Sequence, residues 1–157
     1  MDNIRALIRR IVATLDHSHG FVLLLVRAVV GVEFAISGYG KLGRLDHLVQ
    51  SFEGWGIPLP VVQAPFVAGM ELAGGVCILI GLATRFFAFT SACTMLVALL
   101  TVFANEPGAV TSLPADNLGN ILYLPETLLL TLFLVLVFTG PGKLSLDHAL
   151  APKLKLR

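Results

Sequence analysis

An all-α integral membrane protein, a four-helix bundle with short amphipathic interfacial helices, is what this sequence predicts. Three observations carry the prediction. The 157 residues are 56% hydrophobic and only 13% charged, about half the charged fraction of ordinary soluble domains. Mean hydropathy is +0.86. The apolar residues fall into four runs, over residues 21–37, 62–82, 86–104 and 118–139, each close to the ~17 to 25 residues that a spanning helix needs. Little sequence is left for a soluble domain.

The first element is residues 1–19, where Ile4, Leu7, Ile8, Ile11 and Leu15 recur at helical spacing with Arg5, Arg9 and Arg10 off that stripe. This predicts an amphipathic helix on the membrane surface. The Arg9-Arg10 pair lacks the surroundings of a twin-arginine signal. A cleavable signal ending at Ala35-Ile36-Ser37 conflicts with Arg27 and Glu33, which would interrupt its apolar core. The membrane domain is expected over residues 20–140, and a cytoplasmic tail over residues 141–157.

The first span is expected to end in the glycine-rich run from Ser37 to Gly43, which leads into a loop. Beyond it, Leu48, Val49, Phe52 and Trp55 again share one helical face against Asp46, His47, Gln50 and Glu53. A second interfacial helix follows, with Trp55 at headgroup depth. The second span carries Pro65, expected in its first turn, and Glu71 near its middle. Around that acid, Gly69, Ala73, Gly74, Gly75 and Gly81 offer small faces for close helix approach. The second and third spans are joined by Ala83-Thr84-Arg85, a tight antiparallel hairpin with Thr84 as N-cap. In the fourth span Pro125 removes an amide donor and frees the carbonyl of Ile121, which predicts a kink.

Lys and Arg are concentrated at the amino terminus, the Arg85 turn and the carboxyl terminus, and the loop from Asn105 to Asn117 has none. The positive-inside bias places both termini in the cytoplasm. A net charge of +1 gives no nucleic-acid footprint.

Ionisable groups inside a bilayer are costly and mark functional sites by default. Counted from the outer ends of the predicted spans, Arg27, Glu71 and Glu126 lie roughly 15, 14 and 12 Å deep, and Glu33 roughly 6 Å. Equal depth in a compact bundle predicts that Arg27, Glu71 and Glu126 converge on one buried site. One arginine does not balance two or three acids, so one carboxyl is expected to hold a proton, as a proton-coupled site requires. Lys41 with Arg44 would guard the outer mouth, Tyr39 and Trp55 would stack on a ring, and Tyr123 and Glu33 would complete the ligand-binding set. The competing reading is an ion-pair lattice that only fixes helix register. Cys77 and Cys93, at similar depths across the hairpin, are either packing residues or a redox pair. His17, His19, His47 and His148 all fall outside the spans, which argues against haem inside the bundle.

Several short motifs together resemble the DoxX family of small four-helix bacterial membrane proteins. They are Arg27, Gly38 with Gly40-Lys41-Leu42, Gly56-Ile57-Pro58, Glu71 through Gly75, Gly81 through Arg85, and Gly140 through Asp147. The resemblance runs from about Phe21 to Asp147. It implies a subunit associated with an oxidoreductase of the bacterial inner membrane, as in the small subunit of a thiosulfate:quinone oxidoreductase and relatives linked to quinone or catechol stress. Quinone, and a partner oxidoreductase subunit or a second copy of the chain, are the cofactor and partners it implies. Many members carry a histidine late in the third span, where this chain has Leu99, Leu100 and Thr101. No haem, flavin or metal motif is present. A quinone-reactive subunit is thus the leading expectation, with a proton-coupled or small-solute carrier and a membrane scaffold for a soluble redox enzyme as alternatives.

Overall fold

The computed structural model describes the backbone of residues 2–105 and 121–151, and the side chains of Arg5 and of residues 20–105 and 121–151. The chain is all-α over these residues, with three helices long and apolar enough to cross a membrane and one shorter apolar helix. Helix α1 runs from Asp2 to Leu42 and α2 from Leu45 to Gly54. α3 covers Pro60–Ile80, α4 Thr84–Asn105, α5 Pro125–Thr139 and α6 Leu146–Leu150. The loop after Asn105, together with Asn120, His17 and His19, falls outside the described backbone or side chains.

Two expected boundaries move. α1 is unbroken from Asp2 to Leu42, so residues 2–19 are not a separate element and the glycine-rich run is helical as far as Leu42. The reason is packing against α3. A Cβ on Gly38 would sit 2.3 Å from the Leu72 amide nitrogen, and one on Gly75 would sit 2.3 Å from that of Ala35. Such contact is impossible for any larger residue, and the close approach offsets glycine's low helix propensity. Of the small residues around Glu71, Gly75 meets α1 and Gly74 meets Phe87 and Ser91 of α4, whereas nothing approaches Gly69. The longer α1 also puts Glu33 deeper than expected, roughly 14 Å from the helix end at Leu42.

Proline marks the other differences. α3 starts at Pro60, so Pro65 stands inside the helix rather than in its first turn. The kink expected at Pro125 is a full break: residues 121–123 are helical, Leu124 is extended at φ −70° and ψ 130°, and α5 begins at Pro125. The carbonyl of Ile121 is taken up by the Thr127 hydroxyl at 2.7 Å and the Leu124 amide at 3.2 Å.

The bundle consists of two close pairs, α1 with α3 and α4 with α5, and α3 and α4 share a much smaller contact although a short turn joins them. Between the pairs lies a core of Val30, Phe34, Ile78, Ala88, Phe133 and Leu136. There the rings of Phe34 and Phe133 meet edge-on with centroids 4.5 Å apart. At Gly74, α3 meets Phe87 and Ser91 of α4, and α2 lies against α3 with Phe52 buried.

Candidate functional site

The two charges inside the bundle sit at different depths, Arg27 against the hairpin end of α3 and Glu71 near the middle of that helix. Arg27 and Glu71 are each 2% exposed, yet they do not meet. Arg27 donates from Nε to the carbonyl of Ile78 at 3.0 Å and from Nη2 to that of Leu79 at 2.9 Å. Its Nη1 donates to Pro141 at 2.9 Å and to Leu144 at 2.7 Å. The first two acceptors are carbonyls of the last turn of α3, where the helix dipole is negative; that of Ile78 also accepts from the capping Gly81 amide at 3.1 Å. A flat guanidinium can serve all four carbonyls at once. Ile78 lies seven residues beyond Glu71 on α3, roughly 10 Å further along the axis. The expected cluster of Arg27, Glu71 and Glu126 is therefore not formed, because backbone carbonyls outcompete the carboxylates for the arginine.

Residues 141–147, expected in a cytoplasmic tail, belong to the same clamp. Asp147 accepts from the amides of Ala83 at 2.7 Å and Thr84 at 2.9 Å, and its own amide donates to the Gly81 carbonyl at 2.8 Å. The cap of α4 is thus supplied from across the molecule rather than by Thr84, whose hydroxyl is buried without a partner. Gly81 is obligatory here: its φ is +76°, and a Cβ would meet the Arg27 guanidinium at 2.6 Å.

Glu71 has other partners. Lys41 Nζ donates to Oε1 at 2.5 Å and Oε2 at 2.6 Å, and the Ser37 hydroxyl donates to Oε2 at 3.0 Å. Ser37 and Lys41 are one turn apart on α1, and helical side chains lean toward the amino terminus, so Lys41 reaches back to the depth of Ser37. The Lys41 side chain remains 34% exposed. The ion-pair partner of Glu71 is thus Lys41 and not Arg27.

The pair opens into a cavity of about 690 Å³ between α2, α3 and α4. Its walls are mostly apolar, from Phe52, Trp55, Phe66, Met70 and Met95, with Lys41, Glu71, Gln63 and Glu126 as the polar groups. Thr90, Thr94 and Thr101 line it too, each hydroxyl donating to a carbonyl of its own helix, which leaves oxygen lone pairs toward the space. Cys93 lies on the same wall as a free thiol, and Cys77 is likewise free, so no disulfide joins them. Glu126 stands in the first turn of α5, where the helix dipole favours a carboxylate.

Of the residues expected to form a site, Glu71, Glu126, Lys41 and Trp55 meet at this cavity. Arg27 forms the clamp, and Glu33, Tyr39 and Tyr123 face outward, the tyrosines 73% and 81% exposed. Ser37 and the α4 threonines were missed. Their signal was in the chain: Ser37 and Lys41 at i, i+4, and Thr90, Thr94 and Thr101 along one face of an otherwise apolar span.

The family model described as DoxX matches residues 22–104. A protein named "Putative oxidoreductase CatD" from Bacillus subtilis strain 168 is 34% identical over 124 residues, 79% of this chain and 83% of that protein. "Inner membrane protein YqjF" of Escherichia coli K12 is 30% identical over 132 residues, 83% of this chain and 93% of that protein. "Inner membrane protein YphA" of the same organism is 29% identical over 134 residues, 81% and 89% of the two chains. No solved structure matches the chain.

Proposed function

The chain belongs to the DoxX family, and from that premise we propose that it is the quinone-holding membrane subunit of an oxidoreductase in the bacterial inner membrane. The observation that carries this reading is the cavity at span depth that ends on the Lys41–Glu71 pair. Its volume of about 690 Å³ lies in the range of small-molecule sites, which are typically apolar with a few convergent polar groups. A quinone ring matches that lining: the aromatic and methionine side chains take its faces, and an ammonium takes a carbonyl oxygen.

Reduction places negative charge on the quinone oxygens, and a charged donor already in position stabilises that charge. Lys41 is such a donor, held by Glu71 and Ser37. Glu126, on the opposite side of the cavity, is the group that exchanges protons with the outer surface. The electrons come from the redox group of a partner subunit; this chain holds the ring and supplies charge and protons. The name of the Bacillus subtilis relative supports an oxidoreductase, and the names of the Escherichia coli relatives support the inner membrane. Exposed Arg5, Arg85 and Lys143 support cytoplasmic termini, with the cavity toward the outer side.

Protein purified from bacterial membranes in mild detergent is expected to carry quinone that solvent extraction and chromatography detect. Glu71→Gln leaves Lys41 without its counter-charge and is expected to lower quinone per folded protein at least tenfold. Phe138→Ala, on the outward face of α5, leaves it unchanged. Quinone content equal to wild type in Glu71→Gln, with folding checked by gel filtration, would remove this reading. Proton-dependent solute uptake into vesicles by quinone-free protein would favour the carrier instead.

A further inference from the structure

The polar atoms on the cavity wall are mostly acceptors. A threonine hydroxyl has one hydrogen, and Thr90, Thr94 and Thr101 each commit it to a carbonyl of their own helix, that of Phe87 at 3.0 Å, Thr90 at 3.2 Å and Val97 at 2.9 Å. Lone pairs are what each oxygen has left. Gln63 is fixed in the same way. Its Nε2 donates to the Pro58 carbonyl at 2.6 Å, and only the amino side of an amide can face a carbonyl, so the amide oxygen is the atom left over. Glu126, on the same wall, accepts whether or not its carboxyl holds a proton, because one of its oxygens has no hydrogen in either state.

Donors are fewer. Lys41 Nζ shares its hydrogens with both oxygens of Glu71, and beyond it the wall has the indole N–H of Trp55 and the weak thiol of Cys93. A ligand that suits this lining brings hydrogens of its own and keeps one acceptor for Lys41. The two redox forms of a quinone differ in this respect. The oxidised ring has two carbonyl oxygens and no donor; uptake of two electrons and two protons turns both into hydroxyls, each a donor and an acceptor. Lys41 can donate to an oxygen of either form and does not discriminate. The threonine, glutamine and glutamate oxygens do, because they stay unpaired against a carbonyl and gain a hydrogen bond from a hydroxyl.

We propose that the cavity selects the reduced ring, binding hydroquinone more tightly than quinone through the acceptor oxygens of Thr90, Thr94, Gln63 and Glu126. This rests on the quinone reading of the cavity given above and adds which redox form it prefers. One net hydrogen bond changes affinity roughly 2- to 12-fold, and one to a charged acceptor changes it more, so a preference of about tenfold is expected. Tighter binding of the reduced form raises the midpoint potential of the bound couple, by about 30 mV for each tenfold when two electrons are exchanged. Quinone held here is therefore a stronger oxidant than quinone free in the membrane. It draws electrons from the redox group of the partner subunit the more readily for it.

The test uses full-length protein in lipid nanodiscs, washed free of endogenous quinone and dialysed without oxygen against duroquinone or durohydroquinone. Every ring carbon of duroquinone carries a methyl or an oxygen, so the Cys93 thiol has no open position to add to. Trp55 is the one tryptophan of the chain, and a change in its emission places the bound ring in the cavity. Durohydroquinone is expected to bind about tenfold more tightly than duroquinone. Thr90→Val combined with Thr94→Val keeps the side-chain shape and removes two acceptors; it is expected to weaken durohydroquinone about fivefold and to narrow the ratio, as is Glu126→Leu. Phe138→Ala leaves both affinities as they are. Equal affinity for the two forms, or a ratio unchanged in both sets of variants, overturns the proposal and leaves the quinone reading standing. Binding of neither form removes both. Tighter binding of tetraphenylphosphonium than of durohydroquinone also overturns the proposal, since that cation has no hydrogen to donate and would assign the oxygens to charge.

Discussion

Arg27 and Glu71 are buried to the same degree, yet they illustrate two different uses of a charge inside a membrane. Arg27 spends its donors on four carbonyls from two segments and does not line the cavity beside Glu71. Glu71 is held by two donors from one turn of α1, and its lysine partner borders open space. Burial and charge alone do not distinguish a structural clamp from a binding site. The vacancy beside the charge does, because only an adjoining space lets a ligand exchange for a partner.

Breaking the clamp is expected to have the largest effect. Arg27→Gln strips donors from four carbonyls that tie α3 to the segment after α5, and about 3 to 5 kcal/mol of stability should be lost, read as thermal unfolding in detergent. Arg27→Lys should recover part of this, since an ammonium has three donors and no planar fork. Either variant, once folded, keeps wild-type quinone per molecule if the clamp and the cavity are independent. An unfolding midpoint within a few degrees of wild type in Arg27→Gln would dissolve the contrast.

Glu71→Gln should show the reverse pattern. Its cost is smaller, about 1 to 2 kcal/mol, because Lys41 is partly solvated and the amide still accepts, while the quinone content collapses. Asp147→Ala removes the cap of α4 and should cost about 1 to 2 kcal/mol, with faster amide exchange at Ala83 and Thr84 and no change in ligand content. The smallest effect belongs to Ser37→Ala, about 0.5 to 1.5 kcal/mol, accompanied by a modest loss of quinone because Glu71 is less firmly aimed. A loss of quinone in Asp147→Ala as large as in Glu71→Gln would show that the clamp and the cavity are coupled through α4.

The clamp also explains why one expectation about the site fails. A first span ending at Ser37 puts Arg27 level with Glu71. Because α1 continues to Leu42, Arg27 lies nearer the hairpin and Lys41 replaces it beside the acid. A boundary error of five residues displaces a side chain by roughly 7 Å along a helix, enough to change its partner.

Composition and apolar periodicity sufficed to establish a helical membrane protein, the main extent of three spans, and the importance of Glu71, because transfer of side chains into lipid is a property of each residue and its near neighbours. Motif resemblance was enough to identify the family. Which charge meets which was decided by tertiary structure alone. The partner of Arg27 is backbone from Pro141 and Leu144, more than a hundred residues away, and the cap of α4 is Asp147. The cavity exists because α3 leans on α1 through glycine contacts while α4 leans on α5. Such outcomes depend on how helices cross, and a crossing is a relation between distant surfaces that no local stretch of chain contains.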